Sequence, residues 1–140
     1  MAHEEFEWSD NFSTDIVSLD HQHEELIYLS QSLLDILSDE SAVLPDKQKV
    51  FKDLIDHALE HFHYEERIMR NIHYPDYEHH LTEHNELRKE IGKISESVLH
   101  GEDVADWKGL VSLVQVWVLR HIVASDTKIR EYLRHADMPD

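Results

Sequence analysis

The chain has no cysteine. That excludes disulfides, thiolate metal sites and cysteine nucleophiles. Only three Gly and three Pro occur among 140 residues, too few for the many turns of an all-β fold. Basic residues are scarce as well: 13 Lys and Arg stand against 30 Asp and Glu, a formal net charge of −17 at pH 7. Such a chain repels phosphate backbones and anionic lipid, so no nucleic acid and no membrane is expected as a partner. No apolar run is long enough to span a bilayer. Residues 1–8 lack a basic region followed by an apolar one, so no signal peptide is expected and a cytoplasmic location is. With 41% apolar and 31% charged residues, the composition suits one soluble domain with a sizeable core.

Against these shortages stands one excess, 13 His. Imidazole is the commonest metal-ligand side chain, so their placement matters. Pro45, Pro75 and Gly101 punctuate the chain. Pro suits the first turn of a helix and Gly the position just past its end. These marks leave an N-terminal arm of about 1–17 and four segments of about 18–38, 46–70, 76–100 and 104–134. Each segment carries a stripe stepping by three or four residues, the spacing of a buried helix face. The first stripe is Leu19, His23, Leu26, Ser30, Leu33 and Leu37; the second is Leu54, Ala58, His61, Glu65, Ile68 and Ile72. The third is Tyr77, His80, His84, Leu87, Ile91, Ile94 and Val98; the fourth is Trp107, Leu110, Val114, Trp117, His121 and Ser125. Four amphipathic helices with short connections predict an all-α fold: an antiparallel up-down four-helix bundle with an N-terminal arm, a single domain over 1–140.

Packing alone would make each stripe wholly apolar. Every stripe instead contains His, and the second adds Glu65. A buried imidazole must be hydrogen-bonded or metal-bound. A lone inward His is ordinarily a satisfied core residue. Independent structural histidines would not all choose the inward face of four helices, so a metal site within the bundle is expected. His61 and Glu65 lie one turn apart (i, i+4), as do His80 and His84. One such pair is a weak signal; two on different helices, both inward, are a strong one. His121 and Asp126 are five apart, about 140° around an ideal helix. Either they approach the site from its two sides, or the helix widens locally as at a π-bulge, or Asp126 is a solvated surface acid.

The phrases Asp20-His21-Gln22-His23, His61-Phe62-xx-Glu65-Glu66, Tyr74-Pro75-xxxx-His80-xxx-His84 and Trp117-xxx-His121-Ile122-xxx-Asp126 cover almost the whole chain. Together with Trp8 in the arm, they resemble the hemerythrin family in its bacterial single-domain form. Relative to the animal proteins, the stretches between His23 and His61 and between His84 and His121 are longer. The resemblance implies a non-haem di-iron centre that binds O2 reversibly. It implies that His80, His84 and His121 hold one iron and that His23 and His61 hold the other. Glu65 and Asp126 would bridge them, along with a solvent-derived oxo or hydroxo group, which makes Asp126 a ligand. Two six-coordinate irons offer twelve positions, and this set fills eleven, leaving one for O2 on the iron with two His. Imidazole and carboxylate suit iron, although zinc or manganese can occupy the same ligands. Phe62, Trp117, Val118 and Ile122 are core residues in any case. They are also expected to form a dry pocket over the open position, against water and small anions.

The remaining histidines imply no ligands. His63 and His79 turn away from their neighbours on the stripe. His57 is either a pocket residue above His61 or a plain helix-face His. His21 is expected in solvent, and His3, His73, His100 and His135 fall at termini or helix ends. The leading function is O2 binding without catalysis. The protein would be a carrier or store, or an O2/redox-sensing module with an unidentified signalling or O2-accepting partner. The alternative is a ferritin-like di-iron oxidase or peroxidase, which wants Glu-xx-His twice and more carboxylates. Glu60-xx-His63 offers that spacing once, off the stripe. A third reading is an interaction bundle with incidental metal.

Overall fold

The structure, a computed structural model, describes residues 13–99, 116–117 and 120–136. Trp8, Gly101, Trp107, Leu110, Val114, Val118, His3 and His100 lie outside the described residues. Helix α1 spans Val17–Leu37, α2 spans Leu44–Asn71 and α3 spans Tyr77–Leu99. The last helical stretch includes residues 116–117 and 120–121, widens into a π turn at Ile122–Asp126, and continues as α4, Thr127–Ala136.

Local chemistry sets the ends of these helices. Asp20, in the first turn of α1, accepts hydrogen bonds from Ser13 Oγ (2.6 Å), Thr14 N–H (2.8 Å) and Thr14 Oγ1 (2.9 Å), which ties the described end of the arm to the bundle. Pro45 sits in the first turn of α2, where its missing N–H costs nothing. The end of α2 is a Schellman motif. His73 takes a left-handed φ of 53°, Tyr74 N–H reaches Met69 C=O at 2.9 Å, and His73 N–H reaches Arg70 C=O at 3.2 Å. This is the role of His73, and Pro75 follows the stop directly.

The helices pack antiparallel. Tyr64, late in α2, donates to Ser18 at the start of α1 (2.8 Å), and Gln48, early in α2, donates to Val98 C=O near the end of α3 (2.9 Å). Two apolar clusters fill the bundle. One holds Leu26, Leu33, Phe51, Leu54, Ala58 and Ile91; the other holds Leu19, Met69, Tyr74 and Ile129. In every element the inward His and carboxylates fall between residues of these two clusters. The site is therefore a polar layer closed above and below by hydrocarbon. The buried face of α2 is wider than its stripe: Phe51, Ile55, Phe62, Glu66 and Met69 are buried beside it.

Candidate metal centre

Each inward side chain is placed by helical spacing. His23 comes from α1, His61 and Glu65 from one turn of α2, and His80 and His84 from one turn of α3. His121 precedes the π turn and Asp126 ends it, and Thr127 N–H bonds to Ile122 C=O, five residues back. An i→i+5 turn adds one residue per revolution, so Asp126 returns to the face of His121. All seven are buried, and His23, Glu65, His84 and Asp126 are wholly so.

Their ligand atoms form two groups, each within 4.8 Å throughout: Glu65, His80, His84, His121 and Asp126 in one; His23, His61, Glu65 and Asp126 in the other. The carboxylates straddle the two. Glu65 Oε1 lies 2.7 Å from His80 Nε2 and 3.1 Å from His84 Nε2, while Oε2 lies 3.3 Å from His61 Nε2 and 3.7 Å from His23 Nε2. Asp126 Oδ1 is 2.9 Å from both His80 and His121 Nε2, and Oδ2 is 2.8 Å from His23 Nε2. Despite these distances, none of the four carboxylate oxygens has a partner with hydrogen-bond direction. The Nε2 atoms also crowd one another: His23 to His61 at 3.0 Å, His84 to His121 at 2.9 Å and His80 to His121 at 3.2 Å. One N–H cannot serve two such contacts. Buried, convergent lone pairs that protein donors leave unused are what a pair of cations requires of its ligands.

The outer nitrogens are held separately. His61 Nδ1–H donates to Gln22 Oε1 at 2.8 Å and His84 Nδ1–H to Glu66 Oε2 at 2.7 Å, while His121 Nδ1 lies 3.3 Å from Glu83 Oε2. A proton kept on Nδ1 leaves Nε2 as a lone pair aimed inward. Ser125 donates to the same Glu83, and exposed His79 pairs with it at 3.0 Å.

Electrostatics describe the same centre without cations. Burial alone would push the His61 imidazole down, but Glu65 and Asp126 push it up to about 9. Against the same burial, Asp126 and Glu65 push His80 up to about 9. Burial opposes ionisation of Glu65, yet His61 and the other imidazoles hold it well below the usual carboxylate range. Positive charge at the centre is therefore favoured, whether carried by protons or by metal.

An apolar cavity of about 20 Å³ abuts His61, His121 and Asp126. That is room for roughly one water-sized molecule. Phe62, Trp117 and Ile122 are among its lining residues; Val118, expected beside them, is outside the described residues. Leu26, Leu54, Ile55, Ala58, Leu87 and Ile91 complete the wall. Sequence reasoning missed these six, because each looks like any other core residue. It also missed Gln22, Glu66 and Glu83 as Nδ1 partners, although Gln22 and Glu66 stand beside ligand positions in the quoted phrases. His57 is exposed and bonded to Asp53 C=O at 2.9 Å, a plain helix-face His. Glu60 and His63 are both exposed, so the single Glu-xx-His spacing faces away from the centre.

Comparison with known proteins agrees with this geometry. The family model described as the hemerythrin HHE cation binding domain matches residues 14–133. Bacteriohemerythrin of Pseudomonas aeruginosa is 30% identical over 138 residues, covering 97% of this chain and 85% of the relative. Bacteriohemerythrin of Campylobacter jejuni is 32% identical over 114 residues, covering 81% and 84%. A crystal structure of wild-type hemerythrin has the same fold, with a TM-score of 0.80 over 90% of this chain and 95% of that one at 24% identity. With the domain matched over most of its length and a relative aligned over nearly all of it, this chain belongs to the hemerythrin family.

Proposed function

We propose that the chain binds O2 reversibly at a non-haem di-iron centre, as a carrier or store or as an O2/redox-sensing module. The observation that carries this reading is the pair of ligand groups sharing Glu65 and Asp126, beside an apolar cavity of molecular size. His80, His84 and His121 would hold one iron, His23 and His61 the other, and Glu65 and Asp126 would bridge them. Bound iron supplies reversible one-electron chemistry at two adjacent metals and an open position for a small ligand.

The chain's own residues do the rest. Gln22, Glu66 and Glu83 orient three imidazoles with Nε2 inward, where it would hold a metal. The two carboxylates would balance the charge of bound cations. Phe62, Trp117 and Ile122 keep water and small anions from the side of the centre next to His61. Five His against two carboxylates favour the ferrous state and reversible binding over oxidase or peroxidase chemistry, and the role assigned is that of a binder. One unit over 1–140, a cytoplasmic location and an O2-accepting or signalling partner complete the reading. Among the described residues, no helix is long and apolar enough to cross a membrane.

The test is to reduce the iron-loaded protein, admit O2, then remove it, while recording the visible spectrum. A spectrum that returns on removal supports the reading. Rapid one-way oxidation points to an oxidase, and absence of iron after loading to an interaction bundle.

A further inference from the structure

Glu66 and Arg88 hold no iron in the proposed function, yet both bear on one of the ligands. Glu66 is 6% exposed and follows Glu65 on α2; Arg88 stands one turn beyond His84 on α3. Glu66 Oε2 accepts two hydrogen bonds, from His84 Nδ1–H at 2.7 Å and from Arg88 Nη2 at 2.6 Å. Arg88 is steadied by Asn85 Oδ1 at 2.9 Å. Its guanidinium lies over the Phe62 ring, 5.5 Å from the centroid. Phe62 in turn stacks on His84, with centroids 4.5 Å apart and planes 25° apart. Arg88, Glu66, His84 and Phe62 thus close a ring that joins an iron ligand to the cavity wall.

We propose that Arg88 is a positioning residue that raises the redox potential of the iron held by His84, acting through Glu66. The inference rests on the di-iron reading above. A carboxylate that accepts the Nδ1–H of an imidazole makes Nε2 a stronger donor to metal. A stronger donor favours the ferric state. Arg88, bonded to the same carboxylate oxygen, draws electron density back and weakens that push. Glu66 and Arg88 therefore act on the potential with opposite signs, and Arg88 protects the ferrous form that O2 binding needs.

The test uses the iron-loaded full chain. Midpoint potentials are measured by anaerobic spectroelectrochemical titration for the parent, Glu66→Gln, Arg88→Met, Arg88→Lys and the double Glu66→Gln/Arg88→Met variant. Iron content and circular-dichroism melts are recorded for each. Arg88→Met should lower the potential, Glu66→Gln should raise it, and Arg88→Lys should stay nearer the parent than Arg88→Met does. In the Glu66→Gln background, Arg88→Met should have no further effect. Single variants that shift the same way, or an Arg88 effect that persists without the Glu66 charge, would overturn the inference. A zinc competition titration gives a readout without iron: Glu66→Gln should bind zinc about tenfold or more weakly, and unchanged affinity would remove Glu66 from the chain of influence. A parent that holds iron but fails to release O2 sinks the proposed function, while the order of potentials still decides this inference. A parent that takes up no iron overturns both.

Discussion

At the scale of single residues, exposure separates histidines that look alike in sequence. His79, His80 and His84 lie within six residues on α3, and only His80 and His84 point inward. His84→Ala should lose iron, since no neighbour can supply an imidazole at that height. His79→Ala removes a side chain 63% exposed and should keep nearly all of it. Elemental analysis of both variants checks this, and equal loss would mean that the wrong face of α3 has been assigned. The cavity gives a second contrast. Ile122 is 1% exposed and lines it, whereas Leu33, 0% exposed, belongs to the same core cluster as Phe62 but does not line it. Ile122→Ala and Leu33→Ala should each cost about 2–5 kcal/mol as large-to-small core changes. Only Ile122→Ala should open the centre to water and speed decay of the oxygenated spectrum in air. Equal decay rates at full iron loading would remove Ile122 from the pocket.

At the scale of elements, the last helix shows how one extra residue is accommodated. The π turn at Ile122–Asp126 brings Asp126 onto the face of His121, and α4 continues with Ile129 buried in the cluster of Leu19, Met69 and Tyr74. Deleting exposed Ala124 should turn this bulge into an ordinary helical turn and leave residues from Asp126 onward on their faces. Deleting exposed Lys128, inside α4, should rotate Ile129, Tyr132 and Leu133 by about 100°. That would strip Ile129 from its cluster at a cost of about 2–5 kcal/mol. Thermal melts followed by circular dichroism should place the Ala124 deletion closer to the parent than the Lys128 deletion. The reverse order would mean that the π turn itself stabilises the bundle. The five-residue spacing alone left three readings open; the family resemblance made Asp126 a ligand but did not say how the helix brings it inward, because backbone hydrogen-bond register depends on what the helix packs against.

At the scale of the molecule, the centre is a layer of seven polar side chains between two hydrocarbon clusters. Without cations, the four carboxylate oxygens and His23 Nδ1 are buried without hydrogen-bond partners. An unsatisfied buried group costs about 1–3 kcal/mol, so metal binding and folding are linked. The iron-loaded protein should melt well above the metal-free one. For a chain of this size, each kcal/mol moves Tm by roughly 3–5 °C. Scanning calorimetry with and without chelator measures the difference, and superimposed curves would contradict a buried metal centre.

The class of fold and most of the inward polar residues were legible in the sequence. A period of three to four residues is a property of one segment, so the inward stripes of α1, α2 and α3, with His23, His61, Glu65, His80 and His84 on them, could be read residue by residue. The lack of cysteine limits the ligand chemistry to imidazole and carboxylate just as directly. The family resemblance already implied Glu65 and Asp126 as shared ligands; what the packed helices added is the π turn that brings Asp126 onto the face of His121, the sharing of Glu66 between His84 and Arg88, and the small void against His61 and His121. Each of these depends on how neighbouring helices are rotated and translated against one another, and that rotation is set by side chains distant in sequence packing together.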